Sequence, residues 1–124
     1  MKTLPDAIVL FAHGSRDPLW RAPIDAVAQS IQARAPHTPV LCAFLELDRP
    51  TLPEAVSALA QAGHSHLRIV PMFLGVGRHA REDLPTLMQQ LQGHHPTLSL
   101  ELMPAVGEMP AVIECLARVC LNDA

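Results

Sequence analysis

Four short apolar runs punctuate the chain: Ala7-Ile8-Val9-Leu10-Phe11-Ala12, Val40-Leu41-Cys42-Ala43-Phe44-Leu45, Leu67-Arg68-Ile69-Val70-Pro71-Met72-Phe73-Leu74, and the weaker Leu98-Ser99-Leu100-Glu101-Leu102. The first three are nearly unbroken, which predicts strands covered on both faces, as in a parallel sheet. The fourth alternates and predicts an edge strand. Pro71 lacks a donor N–H, so the hydrogen bonding of the third strand should weaken there.

Helix-like stretches separate the runs. One covers about 18–35, after Asp17-Pro18, with Ile24, Val27, Ala28 and Ile31 at helical spacing. A second covers about 51–62. Thr51 and Glu54 form a capping-box pattern at its start, and Gly63 ends it. A third covers about 79–92, with Leu84, Leu87, Met88 and Leu91 on one face and Gly93 at its end; Pro85 offers an alternative start. A fourth covers about 108–121, with Val112, Leu116 and Val119 as its stripe. The order β-α-β-α-β-α-β-α with short crossovers predicts a three-layer α/β/α fold. Its four-stranded parallel sheet should have the order 2-1-3-4, in a single domain over residues 1–124.

Composition narrows the function. A chain of 124 residues suits one domain, and with 49% apolar but only 3% aromatic residues its core must be aliphatic. The net charge is −3 and Lys2 is the only lysine, so no basic stripe for nucleic acid forms. No run approaches the roughly 18 residues of a membrane span. The N-terminus lacks the features of a signal peptide, so a cytoplasmic location is expected. Cys42, Cys115 and Cys120 lack metal-type spacing and are expected to be free, buried thiols. His37 and the pairs His64/His66 and His94/His95 read as neutral surface-loop positions.

In a parallel sheet, ligands bind beyond the carboxyl ends of the strands. The loops there hold His13-Gly14-Ser15-Arg16-Asp17, Glu46-Leu47-Asp48-Arg49-Pro50, Gly75-Val76-Gly77-Arg78-His79-Ala80-Arg81-Glu82-Asp83, and Pro104-Ala105-Val106-Gly107-Glu108. Strands one and three are predicted neighbours, about 4.8 Å apart. His13 and His79 can therefore meet one metal ion, and neutral imidazole suits cobalt, nickel, iron(II) or zinc. Glu46, from the other neighbour of strand one, can add an oxygen ligand or take a proton. Gly75-x-Gly77 lacks the rest of a nucleotide loop and reads as flexibility or close approach to a flat ligand. His13-Gly14-Ser15 is not a nucleophile elbow, so Ser15 reads as a loop or helix-capping residue. Glu82 and Asp83 are expected to favour the start of the third helix through its dipole.

These motifs in this order resemble the class II tetrapyrrole chelatases. The segments are Ala12-His13-Gly14-Ser15-Arg16-Asp17, Phe44-Leu45-Glu46-Leu47, and Pro71-Met72-Phe73-Leu74 followed by Gly77-Arg78-His79-Ala80-Arg81-Glu82-Asp83-Leu84-Pro85. Within that group the chain is most similar to the short-form sirohydrochlorin cobaltochelatases (CbiX-like) and to siroheme ferrochelatases. The resemblance implies ATP-independent insertion of a divalent metal into sirohydrochlorin, in cobalamin or siroheme biosynthesis. It implies His13 and His79 as metal ligands and catalytic residues, with Glu46 as a further catalytic carboxylate. Ser15, Arg16, Arg49, Gly77, Arg78 and Arg81 would face the substrate, the arginines pairing with its carboxylates. No prosthetic group is implied; the metal is a substrate, with Co²⁺ first and Fe²⁺ or Ni²⁺ as alternatives. A homodimer with sites on a shared cleft is implied as well. The His-rich loop of some short relatives is absent. Two competing readings keep different residues: a metal or tetrapyrrole carrier would retain His13 and His79, and a small hydrolase would depend on Ser15.

Overall fold

In the computed structural model the described residues are 4–123; residues 1–3, with the lysine at position 2, and residue 124 lie outside them, so the N-terminal reading above is only partly covered. The strands are β1 (Ala7–Ala12), β2 (Val40–Phe44), β3 (His66–Pro71) and β4 (Ser99–Leu102). They form one parallel sheet in the order β2-β1-β3-β4, with β1 paired to both β2 and β3. The helices are α1 (Ala22–Arg34), α2 (Leu52–Gln61), α3 (Arg78–His94) and α4 (Pro110–Cys120).

The two faces of the sheet bury separate cores. Val9, Phe11, Leu67 and Ile69 pack with Leu52, Val56 and Leu59 of α2 and with Leu84 and Leu91 of α3. Leu10, Ala12, Cys42 and Phe44 face Ile24, Ala28 and Ile31 of α1. The central strand is covered on both sides, as its unbroken apolar run requires. No helix among the described residues is long and apolar enough to cross a membrane.

Several expectations need correction. β3 stops at Pro71, which pairs with Phe11 at the end of the ladder, so the missing N–H costs no central bond and residues 72–74 turn away. α1 begins at Ala22, because Asp17 Oδ1 accepts the Leu19 N–H at 2.9 Å and closes a turn over 18–20. α3 runs through both Pro85 and Gly93, held on either side of the proline by buried Leu84 and Leu91. Its first turn therefore holds Arg78 to Arg81 and no acidic residue; Glu82 and Asp83 fall in the second turn, too far along to serve the dipole. A short 3-10 turn (Val106–Glu108) precedes α4, which has no buried residue, so the Val112/Leu116/Val119 stripe is not part of the core. Cys42 is buried as expected, but Cys115 and Cys120 on α4 are exposed. His66 lies in β3, 3.4 Å from Glu101, and His94 closes α3, so neither is a loop residue.

The capping box of α2 is complete. Thr51 Oγ1 accepts the Glu54 N–H at 3.3 Å, and Glu54 accepts the Thr51 N–H at 2.8 Å. Arg49 pairs with the same carboxylate. The Arg49 bonds, then the Thr51 N–H, hold the Glu54 carboxyl down at about 2, against 4.5 ordinarily. A lowered folded-state pKa stabilises above the unfolded value and is lost as pH falls through the folded one. Stability should therefore decline between about pH 4.5 and 2 partly through this group. Urea midpoints across that range should fall less steeply for Glu54→Gln than for the wild type; parallel slopes would refute the assignment.

Candidate active site at the carboxyl edge of the sheet

β1 delivers His13 directly beyond its last residue. The ladder to β2 continues past the strands: Leu45 N–H donates to the Ala12 carbonyl at 2.9 Å and Glu46 N–H to the His13 carbonyl at 3.0 Å. That approach leaves no room for a side chain at position 14. Gly14 has φ +100°, and a Cβ there would stand 1.7 Å from the Glu46 carbonyl oxygen. Glu46 thus fixes His13 through its main chain, while its own side chain is exposed.

The loop after β2 is tied back to α1. Arg21 donates to Asp25 at 3.0 Å and to Asp48 at 3.4 Å, with its guanidinium 4.6 Å above the Phe44 ring. Cys42 sits beneath this cluster, and burial, helped by the nearby Asp25 carboxylate, pushes its thiol up to about 11. It is a packed thiol rather than a nucleophile.

β3 delivers the other side. Met72 N–H bonds the Phe11 carbonyl at 2.7 Å, after which Phe73 turns into the core edge. Its ring lies 4.9 Å from that of His13 and 6.0 Å from that of Phe11. Gly107 holds this turn: its N–H donates to the Phe73 carbonyl at 2.9 Å, and a Cβ there would meet the Leu74 carbonyl oxygen at 1.9 Å. Gly77 then N-caps α3 with no side chain bonded to the free N–H groups, and Arg78, His79 and Ala80 form the first turn.

These elements enclose a cavity of about 570 Å³, within the usual size range of small-molecule sites. His13 and His79 both line it, as do Gly77 and Arg78. Its apolar wall comes from Phe11, Leu45, Phe73, Leu84 and Leu87, and Asp83, Thr86 and Gln90 add polar groups from α3. The other candidates, Glu46, Ser15, Arg16, Arg49 and Arg81, stand outside the lining. Ser15 Oγ accepts the Asp17 N–H at 3.1 Å, the loop role expected of it. Arg49 is paired with Glu54, and Arg78 with Glu82 at 3.2 Å. Among the described residues no three His, Cys, Asp or Glu side chains converge closely enough to hold a metal ion. Leu45, Leu47 and Leu74, each about half exposed or more, rim the same edge.

Sequence reasoning missed most of the α3 wall. The signal was present, because positions 79, 83, 86 and 90 recur at helical spacing and share one face. They passed unnoticed because the apolar positions 84, 87 and 91 define the core stripe beside them.

The sequence and the fold have counterparts. A sirohydrochlorin cobaltochelatase of Methanothermobacter thermautotrophicus is 34% identical over 91 residues, 71% of this chain and 63% of that protein. Its counterpart in Methanopyrus kandleri is 35% identical over 82 residues, 66% of this chain and 57% of that protein, so the chain spans about 60% of these curated relatives. A sirohydrochlorin ferrochelatase of Bacillus subtilis is 24% identical over 91% of this chain and 43% of its own length. Among solved structures, a cobalamin (vitamin B12) biosynthesis CbiX protein from Marinobacter aquaeolei VT8 superposes with a TM-score of 0.82 at 28% identity, covering 96% of this chain and 97% of that one. The sirohydrochlorin chelatase SirB of Bacillus subtilis, in complex with cobalt, shares the fold with a TM-score of 0.77 at 23% identity, over 96% of this chain and 51% of that one. The CbiX family model matches residues 7–121, nearly the whole sheet-and-helix unit that carries both histidines, and the chain belongs to that family.

Proposed function

We propose that this chain is a metallochelatase that inserts a divalent metal ion, cobalt first, into sirohydrochlorin. One observation carries the reading: two imidazoles, His13 just beyond β1 and His79 in the first turn of α3, face one cavity with an apolar wall. The relatives that are 31–35% identical and named cobaltochelatases favour cobalt over iron. Cobalt would place the product on a route to cobalamin, iron on a route to siroheme.

The residues divide the work by chemistry. Neutral His13 and His79 offer lone pairs to a metal that is losing its water. Contact with Phe73 limits the motion of the His13 ring, so less order must be imposed when metal arrives. The macrocycle lies against Phe11, Leu45 and Phe73 with its carboxylates towards Arg78 and the uncapped N–H groups at Gly77. Ser15, Arg16, Arg49 and Arg81 edge the same side. Glu46 is the candidate acceptor for pyrrole N–H protons, and Glu46→Gln tests it. No ATP or prosthetic group enters the scheme.

The working unit in this reading is a pair of chains facing across a cleft. SirB is about twice this length, and one copy of this chain superposes on 51% of it. The exposed apolar stripe of α4 supplies surface that a second copy can cover.

The test is anaerobic absorbance spectroscopy of sirohydrochlorin with catalytic protein and Co²⁺, Fe²⁺ or Ni²⁺ in turn. Many macrocycles converted per chain, fastest with cobalt, is the expected result. Conversion that stops at one per site would instead indicate a carrier. Light scattering of the same sample should give a dimer mass.

A further inference from the structure

Among the described residues Asp83 is the one carboxylate that lines the cavity, and the motif resemblance gives it no role. It lies one helical turn after His79, so the two side chains rise from the same face of α3. Its neighbours are otherwise engaged: Glu82 is bonded to Arg78 at 3.2 Å, while Asp83 has no hydrogen bond or ion pair among the described residues. An exposed carboxylate on this wall repels a polycarboxylate macrocycle and attracts a cation.

We propose that Asp83 receives the hydrated divalent cation and passes it to His79 and His13. The inference rests on the chelatase reading and assigns the entry side of that site. A hexahydrated ion presents water protons outward, and a carboxylate accepts them without displacing water. Asp83 then acts at the outer shell, consistent with its standing apart from any three-residue ligand set. The imidazoles take over as the ion loses water, which leaves Asp83 free of the metal when it enters the macrocycle.

The experiment compares wild type, Asp83→Asn and Asp83→Glu in steady-state kinetics with Co²⁺ varied at saturating sirohydrochlorin, and the reverse. For Asp83→Asn we expect the KM for Co²⁺ to rise about tenfold, as loss of one close charge interaction implies. The KM for sirohydrochlorin and kcat should stay within about twofold, and Asp83→Glu should restore most of the metal KM. Unchanged metal KM, or a loss confined to kcat or to the macrocycle KM, would overturn the proposal. Calorimetry with Co²⁺ alone gives a readout independent of turnover: Asp83→Asn should bind more weakly. If the wild type binds cobalt but never turns over, the chelatase reading fails while that comparison still decides the role of Asp83. Asp83 is exposed, so the variants should fold; Asp83→Ser serves as a second neutral replacement.

Discussion

Alanine in place of His13 or His79 is expected to lower sirohydrochlorin metallation by about a hundredfold or more, on the order of 3 kcal/mol of transition-state stabilisation. Among the described residues these are the only two imidazoles that line the cavity, so in the chelatase reading losing either leaves one imidazole for the metal. Both side chains are exposed, and the fold should survive. Surface replacements usually change stability by about 0.5 kcal/mol or less. His13→Ala should cost slightly more than His79→Ala, because the Phe73 ring loses its neighbour at 4.9 Å. If the two act on one ion, as the chelatase reading holds, the double variant should be little worse than either single one. Turnover, thermal melting and cobalt calorimetry on the three variants check this together. Additive losses would mean that the histidines serve separate steps; retention of more than about a tenth of the activity in either single variant would remove it from the metal site.

Gly14→Ala should be the most disruptive single-methyl change near the site. The backbone there has φ +100°, and the new Cβ would lie 1.7 Å from the Glu46 carbonyl oxygen. The obstacle is main chain, which cannot swing aside as a flexible side chain would. Backbone strain and the forced separation of the two loops together should cost roughly 2–4 kcal/mol, lowering the melting temperature by about 10 °C or more. The displaced group is the segment whose N–H holds the His13 carbonyl, so activity should fall with stability. Gly77→Ala is the contrast: a Cβ at that position meets nothing within 4 Å and the backbone angles are ordinary, so the melting temperature should barely move. Equal behaviour of the two variants in thermal melts would contradict this account.

Much of this molecule could be read from its letters. β1 was legible to the residue because its six apolar positions are bounded by polar ones and both faces are covered. The start of α2 was legible because Thr51 and Glu54 satisfy each other locally, without help from elsewhere in the fold. His13 and His79 stood out because sheet order alone brings the ends of β1 and β3 together. What stayed hidden depends on long-range packing. Nothing local distinguishes Gly107 from a flexible loop glycine, yet it permits the close approach of Leu74 that turns Phe73 towards His13. The start of α1 was misplaced because the turn closed by Asp17 competes with helix over the same residues. The packing of α4 could not be read, because an apolar stripe at helical spacing says that a surface can be covered, not what covers it.

The strand order has a kinetic consequence. β1 is complete only when it has found β2 across α1 and β3 across both α2 and β2, contacts distant in the chain. Such non-local parallel pairings carry the loop-closure entropy that slows folding relative to helical bundles. His13 follows β1 and His79 opens α3, the helix that follows β3, so they come together only once the β1–β3 ladder has zipped. In the chelatase reading a partly folded chain therefore presents separate imidazoles with little hold on a metal ion, and ion capture depends on the finished sheet.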